Sequence, residues 1–153
     1  MVDDAQGDDA TIEGPASHTV LHIDDSDANI RLVERLFARL PDIEVISATH
    51  GMQGLDIARD RHPAVVLLDL HLPDFDGDVV LKCLRGDPLT EMIPVVIVSS
   101  DAIDRQIQRL LEAGASAYFS KPLDTHRLVD TVLELIREQN PTTQPPRQGT
   151  GPS

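Results

Sequence analysis

The sequence predicts an α/β domain: a parallel sheet covered by helices on both faces. Three observations carry this reading. Five short runs are rich in Val, Ile and Leu, five intervening segments space their apolar residues at helical period, and the central runs are apolar on both faces. The first run, Thr19 to Ile23, leads into Asp24-Asp25. Ser26 then caps a helix with an apolar face of Ile30, Val33, Phe37 and Leu40, and Pro41 ends it. Ile43 to Ala48 is the second run, and the helix after it, Met52 to Arg61, carries Leu55, Ile57 and Ala58 and stops before Pro63. The third run, Ala64 to Leu68, is closed by Asp69. Gly77 precedes a short helix with Val80, Leu81 and Leu84. Val95 to Val98 is the fourth run, closed by Ser99. Asp101 caps the next helix, whose face is Ile103, Ile107, Leu110 and Leu111 and whose stop is Gly114. The fifth run, Ala117 to Phe119, leads to Lys121-Pro122, and a last helix presents Leu128, Val132, Leu135 and Ile136.

The flanks differ in composition. Residues 1–17 hold five acids and no Lys or Arg, with almost no large apolar side chain to offset the entropy of ordering, so they read as a disordered acidic arm. Residues 140–153 are rich in Pro, Thr, Gln and Gly and read as a disordered tail. Residues 18–139 form the one domain that 153 residues suit.

Charge and cysteine usage exclude several classes. A net charge of −13 argues against partners that are nucleic acids or anionic membranes; with the arm's five acids and the tail's Arg147 set aside, −9 remains on the domain. One cysteine, Cys83, cannot form an internal disulfide or a Cys-based zinc site of the usual spacing. No apolar run approaches the ~20 residues of a membrane helix, and the N-terminus lacks the pattern of a signal peptide, which points to the cytoplasm.

The chemistry lies at the ends of the apolar runs. In an open parallel sheet, ligands bind beyond the carboxyl ends of the strands, where the strand order reverses. Asp24, Asp25, Asp69, Ser99 and Lys121 all fall at such ends, although almost a hundred residues separate the first from the last. Three nearby carboxylates repel one another unless a cation sits among them, and Mg²⁺ suits hard oxygen ligands that also bridge to phosphate. A carboxylate can be the nucleophile that forms an aspartyl phosphate, with Lys121 as a compact positive charge and Ser99 as a hydroxyl donor. Only two of the thirteen basic residues are Lys, which favours a point-charge role for Lys121.

Residues 18–138 resemble the receiver domains of two-component signalling, in particular the single-domain receivers of the chemotaxis-regulator type. The resemblance rests on Val20-Leu21-His22-Ile23-Asp24-Asp25, Leu67-Leu68-Asp69-Leu70, Leu72-Pro73-Asp74-Phe75-Asp76-Gly77, Ile93 to Ser100, and Gly114-Ala115 leading to Tyr118 and Lys121-Pro122. It implies a flavodoxin-like, doubly wound sheet of five strands in order 2-1-3-4-5 with five helices. Asp69 would accept the phosphoryl group. Asp25, Asp69 and the carbonyl of His71 would bind Mg²⁺, with Asp24 nearby through water; Ser99 and Lys121 would bind the phosphoryl oxygens. Tyr118 would be the rotameric switch, and the Lys121-Pro122 bond resembles the one that is cis in the family. The implied donor is a sensor histidine kinase or a histidine phosphotransfer protein. The implied reader is a downstream protein on the face of the fourth helix, fifth strand and fifth helix. His71 and Asp101 occupy positions that flank the hydrolytic water in the family; they are expected to contact one another and make the phosphoryl lifetime depend on pH.

Other readings stand beside these. An aspartate-nucleophile phosphatase would also phosphorylate a carboxylate, but it normally places a second Asp two residues later, where this chain has His71, and it needs a cap domain. A receiver-like fold that only binds is a further alternative. The fourteen residues of the tail, 140–153, leave no room for an output unit, so a free-standing regulator is expected, although a receiver from a hybrid kinase would look the same over the matched region. Asp74, Asp76 and Asp78 read as a solvated loop rather than a calcium loop. His18, His50, His62 and His126 read as surface residues, His22 as a satisfied core or edge histidine, and Cys83 as a small packing residue. Tyr118 has an ordinary alternative as a half-buried aromatic at the sheet edge. The arm is either solubilising charge or a docking element.

Overall fold

Five strands alternate with five helices along the chain: β1 His18–Ile23, α1 Asp27–Phe37, β2 Ile43–Ala48, α2 Gly51–Arg61, β3 Val65–Asp69, α3 Gly77–Gly86, β4 Val95–Ser99, α4 Asp104–Glu112, β5 Ala117–Ser120 and α5 Thr125–Gln139. This is a computed structural model, and it describes residues 18–100 and 103–139. The arm and tail expected over 1–17 and 140–153, and Asp101 with its expected contact to His71, lie outside those residues. All strand pairs are parallel, and their order is β2-β1-β3-β4-β5, as the resemblance implied.

Alternate residues of each strand point to opposite faces, which splits the interior into two cores. Leu21, Ile23, Val66, Leu68, Val95 and Ile97 meet Leu55 and Ala58 of α2, Val80, Leu81 and Leu84 of α3 and Leu110 of α4. On the other face Val20, Val65, Leu67, Val96 and Val98 meet Val33 and Phe37 of α1 and Leu128, Val132 and Ile136 of α5. β3 and β4 are buried at every residue, as their lack of a polar face demands. Each large aliphatic side chain so buried is worth about 1.5–3 kcal/mol.

The helix boundaries follow local chemistry. Ser26 caps α1, its Oγ accepting from the Asn29 N–H at 3.3 Å. His62 closes α2 in the left-handed conformation, one residue before Pro63. Gly114, at φ +113°, turns the chain after α4. Lys121-Pro122 is cis.

Two expectations about α4 need correction. The helix begins at Asp104 with extended Ile103 at its cap position, later than a cap at Asp101 would start it. Ile103 and Leu111 are exposed, and only Leu110 of this helix is buried. Ile103 precedes the first turn, and Leu111 stands about 100° around the helix from Leu110. Cys83 is also exposed rather than packed. Among the described residues no helix is long and apolar enough to cross a membrane.

Candidate functional site

Strand register alone brings the site together. The β1–β3 ladder ends at the pair Ile23 and Leu68, so Asp24 and Asp69 are the next residues on neighbouring strands. Asp69 is level with Val98, which places Ser99 one step beyond it on β4. Ser99 is level with Ser120, and Lys121 follows, its N–H donating to the Ser99 carbonyl at 3.0 Å. β1 and β3 flank the point where the strand order reverses, the position of ligand sites in such sheets.

Carboxylate oxygens of Asp24, Asp25 and Asp69 lie within 4.8 Å of one another. Asp24 and Asp69 are buried and Asp25 is exposed. Lys121 Nζ stands 3.6 Å from Asp24 Oδ2 and 3.6 Å from Asp69 Oδ2, bridging the two buried acids. With all three acids ionised, one ammonium leaves two negative charges uncompensated among these groups. That deficit, an all-oxygen donor set and an exposed acid at the mouth fit a hard divalent cation.

The two buried acids are held in opposite ways. Burial is the largest influence on Asp24 and pushes its carboxyl up, but hydrogen bonds from His22 and the Ser26 N–H and the charge of Lys121 together bring it down to about 2. Ser26 N donates to Oδ1 at 2.9 Å and Asn29 Nδ2 to Oδ2 at 3.1 Å, so Asp24 is an oriented anion. Asp69 moves the other way. Burial and then the negative Asp24 push its carboxyl up, against the opposing pull of Lys121 and the His71 N–H, which donates to Oδ1 at 3.3 Å. Asp69 is thus the acid that gains most from a cation.

The loop after β3 is built around this pair. His71 pairs with Asp76 in an antiparallel bridge, and the Gly77 N–H donates to the Leu70 carbonyl at 2.7 Å. A Cβ on Gly77 would lie 2.6 Å from the Asp69 carbonyl oxygen and 2.7 Å from Leu70 Cα, so only glycine lets α3 start against the end of β3. Half-buried Tyr118 donates its hydroxyl to the Ser99 carbonyl at 3.3 Å, which ties β5 to the site's edge.

Two residues carry more than their sequence reading. Asp74 is not a merely solvated acid: its Oδ1 accepts from the Gly51 N–H at 2.7 Å and its Oδ2 from the Met52 N–H at 3.0 Å, so it caps α2 from 23 residues away. The Met52 bond leads the causes that lower its carboxyl. His22 is a core residue, 3% exposed, but not a satisfied one. Its Nε2 lies 3.5 Å from Asp24 Oδ2, and its Nδ1 has no hydrogen-bond partner. The signal for His22 is its place two residues before Asp24, which directly follows the same strand; for Asp74 no local signal exists. His50, His62 and His126 are exposed as expected, and His18 is half-buried.

A family model described as the response regulator receiver domain matches residues 20–133. The chain belongs to the response-regulator receiver family. The polar-differentiation response regulator DivK of Brucella ovis is 32% identical over 118 residues, which cover 77% of this chain and 95% of DivK. A CheY-like receiver domain protein from Methanospirillum hungatei aligns with TM-score 0.75 at 24% identity, covering 83% of this chain and 99% of that one. The receiver domain of a sensor histidine kinase from Pseudomonas aeruginosa, TM-score 0.71 at 22% identity, covers 79% and 98% and carries a magnesium ion coordinated in its active-site cleft. At these identities the two structures bear on the fold alone. Receiver domains are signalling modules rather than conventional enzymes, bind Mg²⁺ at an acidic cluster and work with histidine kinases or phosphotransfer proteins.

Proposed function

We propose that this receiver accepts a phosphoryl group on Asp69 from a sensor histidine kinase or histidine phosphotransfer protein. It then signals by conformational switching and protein binding, or by passing the group along a relay, in the cytoplasm. The observation that carries this reading is the convergence of Asp24, Asp25, Asp69 and Lys121 from three separate strand ends. An Asp69 carboxylate oxygen attacks phosphorus, the donor's bond to phosphorus breaks, and the donor leaves with that electron pair. Lys121 and the hydroxyl of Ser99 take up charge on the equatorial phosphoryl oxygens, and the rigid strand ends set the in-line approach. Mg²⁺, held by Asp25, Asp69 and the His71 carbonyl with Asp24 through water, would neutralise the remaining charge between carboxylates and phosphoryl oxygens. Ser99 drawn toward the phosphoryl group frees space for Tyr118, which turns a charge event into a packing change on the α4-β5-α5 face.

The phosphatase alternative finds no second Asp two residues past Asp69, where His71 stands. The reading is tested by incubation with Mg²⁺ and acetyl phosphate followed by intact-mass measurement. One added phosphoryl group, about 80 Da, is expected in the wild type and absent from Asp69→Asn. No adduct from acetyl phosphate or from any histidine kinase would leave a receiver that only binds.

A further inference from the structure

Two buried polar atoms on the α1/α5 side of the sheet are left over by everything described so far. Neither His22 Nδ1 nor Ser47 Oγ has a hydrogen-bond partner among the described residues. They are not scattered: His22 and Ser47 are register partners on the neighbouring strands β1 and β2, so their side chains stand side by side on one face. On its other side His22 is level with Leu67, which offers no polar atom. Ser47 is therefore the polar side chain beside it across the ladder. A hydroxyl can donate to an imidazole nitrogen directly after a rotamer change or through one bridging water, and either satisfies both leftover atoms.

The other end of the same ring faces Asp24, with Nε2 3.5 Å from Oδ2. A neutral imidazole carries one proton, and the bond at one nitrogen decides which nitrogen holds it. If Nδ1 accepts from Ser47, the proton lies on Nε2, aimed at the carboxylate. We propose that Ser47 and His22 form a relay in which the Ser47 hydroxyl fixes the His22 tautomer and His22 Nε2–H fixes the Asp24 carboxylate, making both positioning residues for the cation site. This rests on the reading of Asp24, Asp25 and Asp69 as that site. Asp24 meets the ion through water, and the loss of a hydrogen-bond partner behind a metal site typically weakens metal binding. Asp24 keeps its bonds from Ser26 and Asn29 in any His22 variant, so the effect reports orientation rather than loss of the acid.

Nitrogen-15 imidazole spectra of the full chain at alkaline pH should show the His22 proton on Nε2, and Ser47→Ala should shift the population toward Nδ1–H. Mn²⁺ titration followed by water-proton relaxation should give about tenfold weaker binding for His22→Leu. His22→Gln, whose amide can still donate to Asp24, should stay within about twofold of wild type. Ser47→Ala should cost about threefold alone and nothing further beside His22→Leu, because the two act in series. A proton on Nδ1 in the wild type, or a His22→Leu protein that binds Mn²⁺ as the wild type does while Asp25→Asn does not, would overturn the relay. If Asp25→Asn also binds normally, the cation-site reading itself fails, while the tautomer still reports whether Ser47 and His22 are linked. Because the spectra use wild-type protein, the test survives a variant that does not fold.

Discussion

The two ends of the sheet each hold charge at least half-buried, and they treat it in opposite ways. At the carboxyl end three carboxylates crowd around one Lys, and at the amino end Arg85 stands alone among backbone carbonyls. Its Nε and Nη2 donate to Gly114 O at 3.1 and 2.7 Å, and Nη1 donates to Ile93 O at 2.7 Å and Glu91 O at 3.1 Å. One guanidinium thus ties the end of α3 to the segments that enter β4 and β5. Every partner is neutral, so nothing competes and nothing needs to be added. The acidic end is unfinished without a cation, and that difference separates a site built to hold the fold from one built to respond.

The sharpest way to break this contrast is to remove the latch. Arg85→Met should lower stability by about 3 kcal/mol, because several charge-assisted bonds are lost at once, and depress the Tm by about 10 °C. Arg85→Lys should recover less than half of that, since an ammonium cannot reproduce the planar fork. A loss below about 1 kcal/mol in a denaturant melt would show that water replaces the guanidinium easily and that the amino end is not a latch.

A smaller effect is expected next door. Gly114 sits at φ +113°, and a Cβ there would lie 2.7 Å from Arg85 Nε. Gly114→Ala should cost about 2 kcal/mol, part of it relieved in the Arg85→Met background, so the double variant should be more stable than the sum of the singles.

The acidic end should respond with the opposite sign. Asp69 is pushed above its ordinary 3.8, so the fold favours its protonated form; that contribution is present below pH 3.8 and is lost as pH rises through the folded value. At neutral pH in EDTA, Asp69→Asn should therefore raise the Tm by a few degrees, with the gain fading below pH 3.8. Saturating Mg²⁺ should stabilise the wild type and not the variant, reversing the ranking. Equal melts with and without Mg²⁺ would remove the claim that the site awaits a cation.

Much of this arrangement is legible in the sequence. The short Val-, Ile- and Leu-rich runs give the strands, and the strand ends give Asp24, Asp69, Ser99 and Lys121, because parallel register aligns residues that follow equivalent runs. What local pattern cannot carry is contact made through space. The bond from Asp74 to α2 spans 23 residues, and the Ser47–His22 juxtaposition depends on which strand lies beside β1. The start of α4 is not legible because Asp101 can cap a helix as readily as Asp104 can sit in a first turn, and only the extended backbone of Ile103 decides between the two starts.

Asp74 also bears on the order in which the chain assembles. His50, the residue at the cap position of α2, makes no side-chain capping bond, so the first turn of that helix is completed by a carboxylate synthesised later, on the far side of β3. An isolated peptide of residues 50–62 should fray at Gly51 and Met52, and during folding those amides should gain protection from hydrogen exchange only when the loop after β3 docks. The start of α2 is thus a timer, set by a residue outside the helix it completes.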